Sequence, residues 1–333
     1  MGASMKDVAR LSHVSIATVS HVINKTRNVS AETEEKVLKA IRHLNYNVNP
    51  VARNLRSGSS KVIGYVVSNL ANSFFMDIAL SIDKVMSMNG YHLIYINSNE
   101  DTDKERNNIE SLLMQNVDGL IIAPVGMDCS YMATVIADRC PCVFFDRKPT
   151  GFDRDIIMST NYEGAFEGTE QLIKQGHTQI GFVGSRYDET MHERADGYRG
   201  ALRKHGIKVD EDLIKSGSGR PRPMDDQRIG DSYQLTKELI EDKNVTALFC
   251  ANILAALGVS NFLIENANTT GRDFGVASFD DAFWYSMSIP PIIGVQQNKE
   301  DIGEKVAMTL LKRIKKSNDP IQEYRIPTTL ILR

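Results

Sequence analysis

The chain has 333 residues, 42% of them hydrophobic and 24% charged, which suits a globular protein of two domains with room for a small extra module. No apolar run approaches the roughly 18 residues of a membrane span, and the N-terminus has no signal-peptide apolar core, so a cytoplasmic protein without membrane partners is expected. The formal charge of −3 is unevenly spread: residues 1–61 hold ten Lys or Arg against four acids, a net +6, and the rest of the chain is −9. A basic head on an acidic body points to a polyanionic partner at one end only.

In the head, "MKDVARLSHVSIATVSHVIN" predicts two short helices with a tight break between them. The first spans about Lys6 to Ser12, with Val8, Ala9 and Leu11 turned inward. Ser15 caps the second, about Ile16 to Asn24, in which Val19, Val22 and Ile23 follow the i, i+3, i+4 rule of a buried stripe. Its opposite face carries Ala17, Ser20, His21 and Asn24, with Ile16 at the margin. Such a face is small, polar and uncharged. It suits close approach to base edges, with His21 hydrogen bonding and Ile16 and Ala17 touching thymine methyls, and it would equally serve as a solvated surface. A third helix follows, capped by Ser30, with Glu32, Glu34 and Glu35 near its N-terminal dipole and Val37, Ile41 and Leu44 as its stripe. Three short helices in a basic segment of this size favour a helix-turn-helix.

The stretch "NPVARNLRSG" follows. Asn49 is placed as a cap, Pro50 suits the first helical position, and Gly58 ends the turn. About two turns of helix lie below the roughly 12 residues at which an isolated helix is even marginal, so this segment needs a partner surface to be helical. Leu55 between Arg53 and Arg56 reads in two ways. Either the arginines hold phosphates while the leucine wedges into a minor-groove step, or the leucine packs back on the body as part of a linker.

At these residues the chain resembles the LacI family. "KDVARLSHVSIATVSHVINKTRNVSAETEEKV" and "LNYNVNPVARNL" carry the likeness, which runs on to "IPTTLILR" and so covers essentially the whole sequence. The resemblance implies that Ile16, Ala17 and His21 read bases and that Ser15, Thr18, Asn24 and Arg27 meet the DNA backbone. It implies further that Arg53, Leu55 and Arg56 belong to a DNA-kinking hinge helix of a homodimer.

Beyond Lys61 the pattern changes to apolar runs alternating with helical stretches: "KVIGYVVSN", Phe74 to Met88, "GYHLIYINSN", "DKERNNIESLLMQ", "VDGLIIAP", a helix about Met132 to Asp138, and "CVFFD". It then restarts. "TQIGFVGSR" echoes "KVIGYVVSN", followed by "ERADGYRGALRKHG", "DSYQLTKELIED", "VTALFCAN", "AALGVSNFLIEN" and "FGVASFDD". Two α/β halves of this kind form parallel sheets and leave a cleft between the carboxyl ends of their strands. The family's body resembles periplasmic sugar-binding proteins in this. The expected organisation is an all-α helix-turn-helix DNA-binding domain over 1–48, a hinge helix over 49–60, and an α/β periplasmic-binding-protein-like core over 61–333. Its two parallel-sheet subdomains are expected at about 61–158 with 291–321, and 159–290 with 322–333.

Strand-end residues facing the cleft are Phe74 and Phe75, Asp146 and Arg147, Arg194, Phe249 and Asn252, and Asp280. The aromatics would cover a ring, and a guanidinium at a helix front holds hydroxyls or a carboxylate in bidentate fashion. The resemblance favours Arg194 and Asp280 most. Each of these side chains reads alternatively as a surface charge or a bridge between domains. Two departures from the family pattern stand out. Asn252 is followed by Ile253 where many members have Asp, and "SGSGRPRPMDDQRIGD" replaces a compact turn. Arg220, Arg222 and Arg228 in that insert would suit a sugar acid or sugar phosphate, while an exposed loop is the simpler account.

Other function classes fare worse. No P-loop is present, no Gly-x-Gly-x-x-Gly opens a helix after the first strand, and the seven histidines are scattered. Cys140 and Cys142 flank Pro141 with no second ligand pair at metal spacing, so structural thiols are expected, with no cofactor or metal. A pure binding protein leaves the basic head unexplained, and an architectural DNA-binding protein leaves the cleft idle. The reading that uses both halves is a sequence-specific repressor on a near-palindromic double-stranded operator, controlled by a sugar-type effector. A phosphocarrier co-regulator and the sign of the effector's action stay open. With no C-terminal heptads, a dimer is the default. Replacing Leu55 with Ala is expected to reduce operator bending and specific affinity while sparing non-specific binding. Gel-shift bending assays check this, and unchanged bending would exclude the wedge.

Overall fold

The computed structural model of the protein describes residues 3–24, 27–46, 59–184, 189–217, 226–267 and 273–333. Contacts divide the chain into two units, up to Ser60 and from Lys61. The head unit contains α1 (Met5–Ser12), α2 (Ile16–Asn24) and α3 (Ala31–His43). Local chemistry sets their ends. Ser4 and Asp7 form a reciprocal capping box on α1, Ser15 Oγ accepts from Thr18 N–H at 3.0 Å, and Ser30 Oγ accepts from Thr33 N–H. Val8, Ala9, Val19, Val22, Val37 and Ala40 make the core. Leu11 departs from expectation, being 45% exposed. The inward row of α1 is Val8, Ala9 and Ser12. Ser12 can be buried because its Oγ donates to the Val8 carbonyl at 2.7 Å. The hinge residues Arg53, Leu55 and Arg56 lie outside the described residues.

The core unit consists of two lobes with matching strand order. The first sheet holds β1 (Val62–Val67), β2 (His92–Asn97), β3 (Gly119–Ile122), β4 (Cys142–Phe145), β5 (Asp155–Ser159) and β11 (Glu323–Ile326), in the order β11-β5-β4-β3-β1-β2. The second holds β6 (Ile180–Gly184), β7 (Ile214–Ser216), β8 (Ala247–Cys250), β9 (Gly275–Phe279), β10 (Ile293–Gln297) and β12 (Thr328–Ile331), in the order β12-β10-β9-β8-β6-β7. The echoing segments "KVIGYVVSN" and "TQIGFVGSR" therefore occupy equivalent central strands. All pairings are parallel except β10 with β12, which is antiparallel. Nearly continuous apolar strands such as "VIGYVV" and "ALFC" fit sheets covered on both faces.

Helices α4 (Ser73–Met88), α5 (Thr102–Met114), α6 (Ser130–Val135) and α11 (Lys299–Ile314) cover the first sheet. Helices α7 (Asn161–Lys174), α8 (Glu189–Lys204), α9 (Asp226–Lys243) and α10 (Ile253–Glu265) cover the second. Two boundaries expected from the sequence need correction. Residues 293–297 pair with β9 in the second lobe, and 323–326 pair with β5 in the first. The chain crosses at 159–160, 297–298 and 326–328. Hydrogen bonds tie the crossings together: Ser159 Oγ donates to Gln297 Oε1 at 2.5 Å, Thr160 N–H to the Ile326 carbonyl at 3.0 Å, and Thr328 N–H to Thr160 Oγ1 at 3.1 Å. No helix among the described residues is long and apolar enough to cross a membrane.

All four cysteines are unpaired and buried, and burial pushes the Cys129 and Cys140 thiols up to about 12. Helices α7 and α8 approach so closely that a Cβ on Gly197 would stand 2.2 Å from the Tyr162 carbonyl oxygen. Backbone cannot step aside as a flexible side chain can. Gly197→Ala is therefore expected to cost roughly 1–3 kcal/mol in urea unfolding; a stability equal to wild type would show that the two helices can separate freely.

Candidate functional site

The first lobe supplies one wall of the cleft. After β1, Asn69, Asn72, Phe74 and Phe75 line it, with Asn72 capping α4 by accepting from Phe74 N–H at 3.0 Å. The two phenylalanines are only 5% and 2% exposed. Phe75 packs edge-on to Phe145, with centroids 5.9 Å apart, and its carbonyl accepts from Tyr65 Oη at 2.6 Å. They form a floor held by the lobe's own core. They are not an open stacking face.

Following β2, Asn99 and Glu100 are both left-handed, with φ of 53° and 56°. That turn brings the Glu100 carboxylate, 7% exposed, onto Arg147 in a bidentate pair of 3.1 and 3.2 Å. Arg147 Nη1 also donates to the Pro124 carbonyl at 3.1 Å, and its Nε stands 3.7 Å from Asp146 Oδ2.

The second lobe answers with Arg194 and Asp280. Asp146 after β4 and Asp280 after β9 occupy equivalent places in the repeat, each following a phenylalanine, with φ of 67° and 74°. Asp280 is 6% exposed and accepts from Gln297 Nε2 at 2.6 Å, the same amide that accepts from Ser159. Arg194, also 6% exposed, donates from Nε to Asn161 Oδ1 at 2.9 Å and from Nη1 to the Ala251 carbonyl at 2.8 Å. Its guanidinium lies 3.7 Å above the Phe279 ring. No carboxylate pairs with Arg194 and no protein group takes its Nη2 among the described residues. Two buried groups of opposite charge therefore face the cleft with only neutral partners.

Asn252 caps α10, its Oδ1 accepting from Ala255 N–H at 3.0 Å, and Ile253 and Leu254 beside it, with Met191, give this wall an apolar strip. Phe249 does not line the cleft and is corrected here. The pleat of β8 turns it toward α7, fully buried and stacked on Phe182 at 5.8 Å. Of the sequence candidates, Phe74, Phe75, Asp146, Arg147, Arg194, Asn252 and Asp280 come together around about 680 Å³, including space open to solvent. Glu100, Gln297 and Asn161 were not among them. Glu100 depends on a left-handed turn, and Gln297 ends a strand expected in the other lobe. The side chain of Arg228 lies outside the described residues, as do Arg220 and Arg222.

On the head, Ser15, Ile16, Ala17 and Arg27 are exposed, and Thr18 and His21 are half-buried. The side chain of Asn24 lies outside the described residues.

The family models match the chain in two parts. Bacterial regulatory proteins of the lacI family match residues 4–49, and periplasmic binding proteins and sugar binding domain of LacI family match 60–333. The HTH-type transcriptional repressor PurR of Mannheimia succiniciproducens is 32% identical over 335 residues, covering 99% of this chain and 98% of that protein. A Lac repressor dimer bound to operator and the anti-inducer ONPF aligns over 100% of this chain and 98% of its own, at 25% identity and TM-score 0.85. The regulator CelR in complex with cellobiose aligns over 99% of both chains, at 25% identity and TM-score 0.71.

Behind the Arg147 wall lies Glu105, fully buried. It accepts from Tyr131 Oη at 2.7 Å and from Val125 N–H at 2.8 Å, so the Pro124–Val125 peptide joins it to Arg147. Burial raises its carboxyl to about 7, with the two hydrogen bonds opposing. The fold thus favours the protonated form: that contribution is complete below the ordinary carboxylate range and lost as pH rises through about 7. Glu105→Gln should therefore gain on wild type between pH 5 and 8, by on the order of 3 kcal/mol in unfolding free energy. A difference that does not vary with pH would contradict the burial argument.

Proposed function

The chain belongs to the LacI family of bacterial regulatory proteins, a DNA-binding repressor type with an effector-binding domain, and we propose that its effector is a neutral, polyhydroxylated sugar held between Arg194 and Asp280. The observation that carries this reading is the pair itself. Each group is buried and charged, and each is met by neutral partners that satisfy only part of its hydrogen-bonding capacity. Ligand hydroxyls both donate and accept, so one diol serves Arg194 Nη2 and the open Asp280 oxygen together.

Charge argues against an anionic ligand. Glu100, Asp146 and Asp280 outnumber Arg147 and Arg194 around the cleft, and Arg147 is already engaged by Glu100. The apolar strip at Ile253 and Leu254 favours a ligand with a non-hydroxylated edge on that side. The cellobiose found with CelR supports the same class.

For the head, the small exposed face of Ile16 and Ala17 and the half-buried His21 support base reading in a major groove, with Ser15, Thr18, Asn24 and Arg27 on phosphates. The family likeness supports a minor-groove role for Arg53, Leu55 and Arg56. A homodimer is supported by Phe283, Met287 and Ile289, which are 83%, 66% and 79% exposed within seven residues. Such a patch costs solubility unless a partner copy covers it. Operator and effector affinities are then linked through the lobe angle.

A thermal-shift screen of neutral sugars, sugar acids, sugar phosphates and purine bases tests the reading. A neutral sugar is expected to raise the melting temperature of wild type by a few degrees, leave Arg194→Ala unmoved, and alter operator affinity of wild type only. Stabilisation by anionic ligands alone, or equal stabilisation of Arg194→Ala, would reject it.

A further inference from the structure

Arg194 reaches the cleft with one side-chain partner behind it, the amide of Asn161, and that amide is itself held. Asn161 is 1% exposed. Its Oδ1 accepts from Arg194 Nε, while its Nδ2 donates to Glu193 Oε2 at 2.9 Å. These two contacts fix the amide's orientation. Turned over, it would set N–H against N–H and carbonyl against carboxylate.

The same Glu193 oxygen accepts from Arg325 Nη1 at 2.7 Å. Arg325 sits on β11 of the first lobe, in register with Met158, whereas Asn161, Glu193 and Arg194 all belong to the second. A run of four side chains therefore leads from the cleft to the opposite lobe. Arg325 is anchored on its own lobe by Glu323 at 2.6 Å, and Lys148 holds Glu323 from the other side, also at 2.6 Å. The Glu193 and Arg325 side chains are 20% and 33% exposed, so the pair is shielded more than an ordinary surface contact.

We propose that Glu193 and Arg325 are positioning residues for Arg194, an ion pair between the two lobes that makes the orientation of the cleft guanidinium depend on the angle between them. The purpose assigned to this run rests on the effector reading of the cleft; the contacts themselves need no ligand. A charge-assisted hydrogen bond of 2.7 Å weakens steeply over an ångström of separation, so lobe motion makes or breaks it nearly as a switch. With the pair made, Glu193 is held where it locks Asn161, and Asn161 presents Arg194. With the lobes parted, Glu193 is free to turn to solvent and Asn161 loses its fixed orientation. Any ligand that prefers the presented guanidinium then favours the lobe angle that makes the pair.

The experiment uses the full chain without ligand. The four native cysteines are buried, so spin labels can be placed at Met88→Cys on the first lobe and Ile264→Cys on the second, sites 79% and 64% exposed. Labelled chain is diluted with unlabelled chain, and the distance distribution is read by electron–electron resonance. In parallel, proton exchange of the Arg194 Nε–H is followed by NMR, its signal assigned by loss in Arg194→Lys. Arg325→Met and Glu193→Gln are each expected to widen the distribution and to speed Arg194 Nε–H exchange by roughly threefold or more. Lys148→Met, which touches the same Glu323 but bridges no lobes, should match wild type. Unchanged Arg194 exchange in Arg325→Met would overturn the proposal even if the distances widen, and so would an equal effect of Lys148→Met. Because no effector is present, this result stands apart from the outcome of the ligand screen.

Discussion

The contact on which the account turns is the hydrogen-bonded run Ser159–Gln297–Asp280. Gln297 ends β10 at one chain crossing, Ser159 ends β5 at another, and Asp280 is a cleft carboxylate. One amide thus belongs at once to the chain crossings between the lobes and to the site. Asp280 is nearly buried, and an ionised carboxylate in that position needs its remaining oxygen met by water or a ligand. Whatever meets it pulls on a side chain whose other end is tied to the crossing. Cleft chemistry and lobe angle cannot be set independently in such an arrangement.

Four of the left-handed residues lie at the same place, while others, among them Lys61, Ala137 and Lys316, lie elsewhere in the fold. Asp146 and Asp280 end equivalent strands in the left-handed region, and Asn99 and Glu100 adopt it consecutively. Asn and Asp tolerate this region, whereas Glu100 costs on the order of 1–2 kcal/mol relative to ordinary backbone. All four lie at strand ends beside the cleft, where Glu100 recovers part of that cost through its bidentate pair with Arg147. The first-lobe wall has its one guanidinium engaged by its own carboxylates, and the second-lobe wall has a buried guanidinium and carboxylate met only by neutral partners. Under the proposed effector reading, this asymmetry favours a ligand of hydroxyl groups over one carrying a phosphate.

Much of this was legible in the sequence because the signals are local. Ser15, Ser30 and the i, i+3, i+4 spacing of Val19, Val22 and Ile23 define head helices that form as expected, with α2 over Ile16–Asn24. The strand repeat, read from "KVIGYVVSN" and "TQIGFVGSR", placed Asp146 and Asp280 at strand ends, and the structure brings both into one cleft. What escaped has both local and distant causes. Leu11 was expected inside because leucine usually is, yet Ser12 takes the inward position by bonding its own helix. Residues 323–326 pair with β5, far back along the chain, whereas 293–297 stay with the preceding strand β9, so each lies in the lobe opposite to the one expected. Phe249 is sent into the core by strand pleat, and Asn161 opens a helix that short apolar runs did not announce.

If cleft and operator share one equilibrium, as proposed, each must change the other's affinity by the same factor. The affinity of a cleft ligand, determined by calorimetry with and without saturating operator, is compared with the affinity for operator with and without that ligand. Both ratios are expected to be equal, with a factor of roughly 5–150. A ligand affinity that operator leaves unchanged would contradict it.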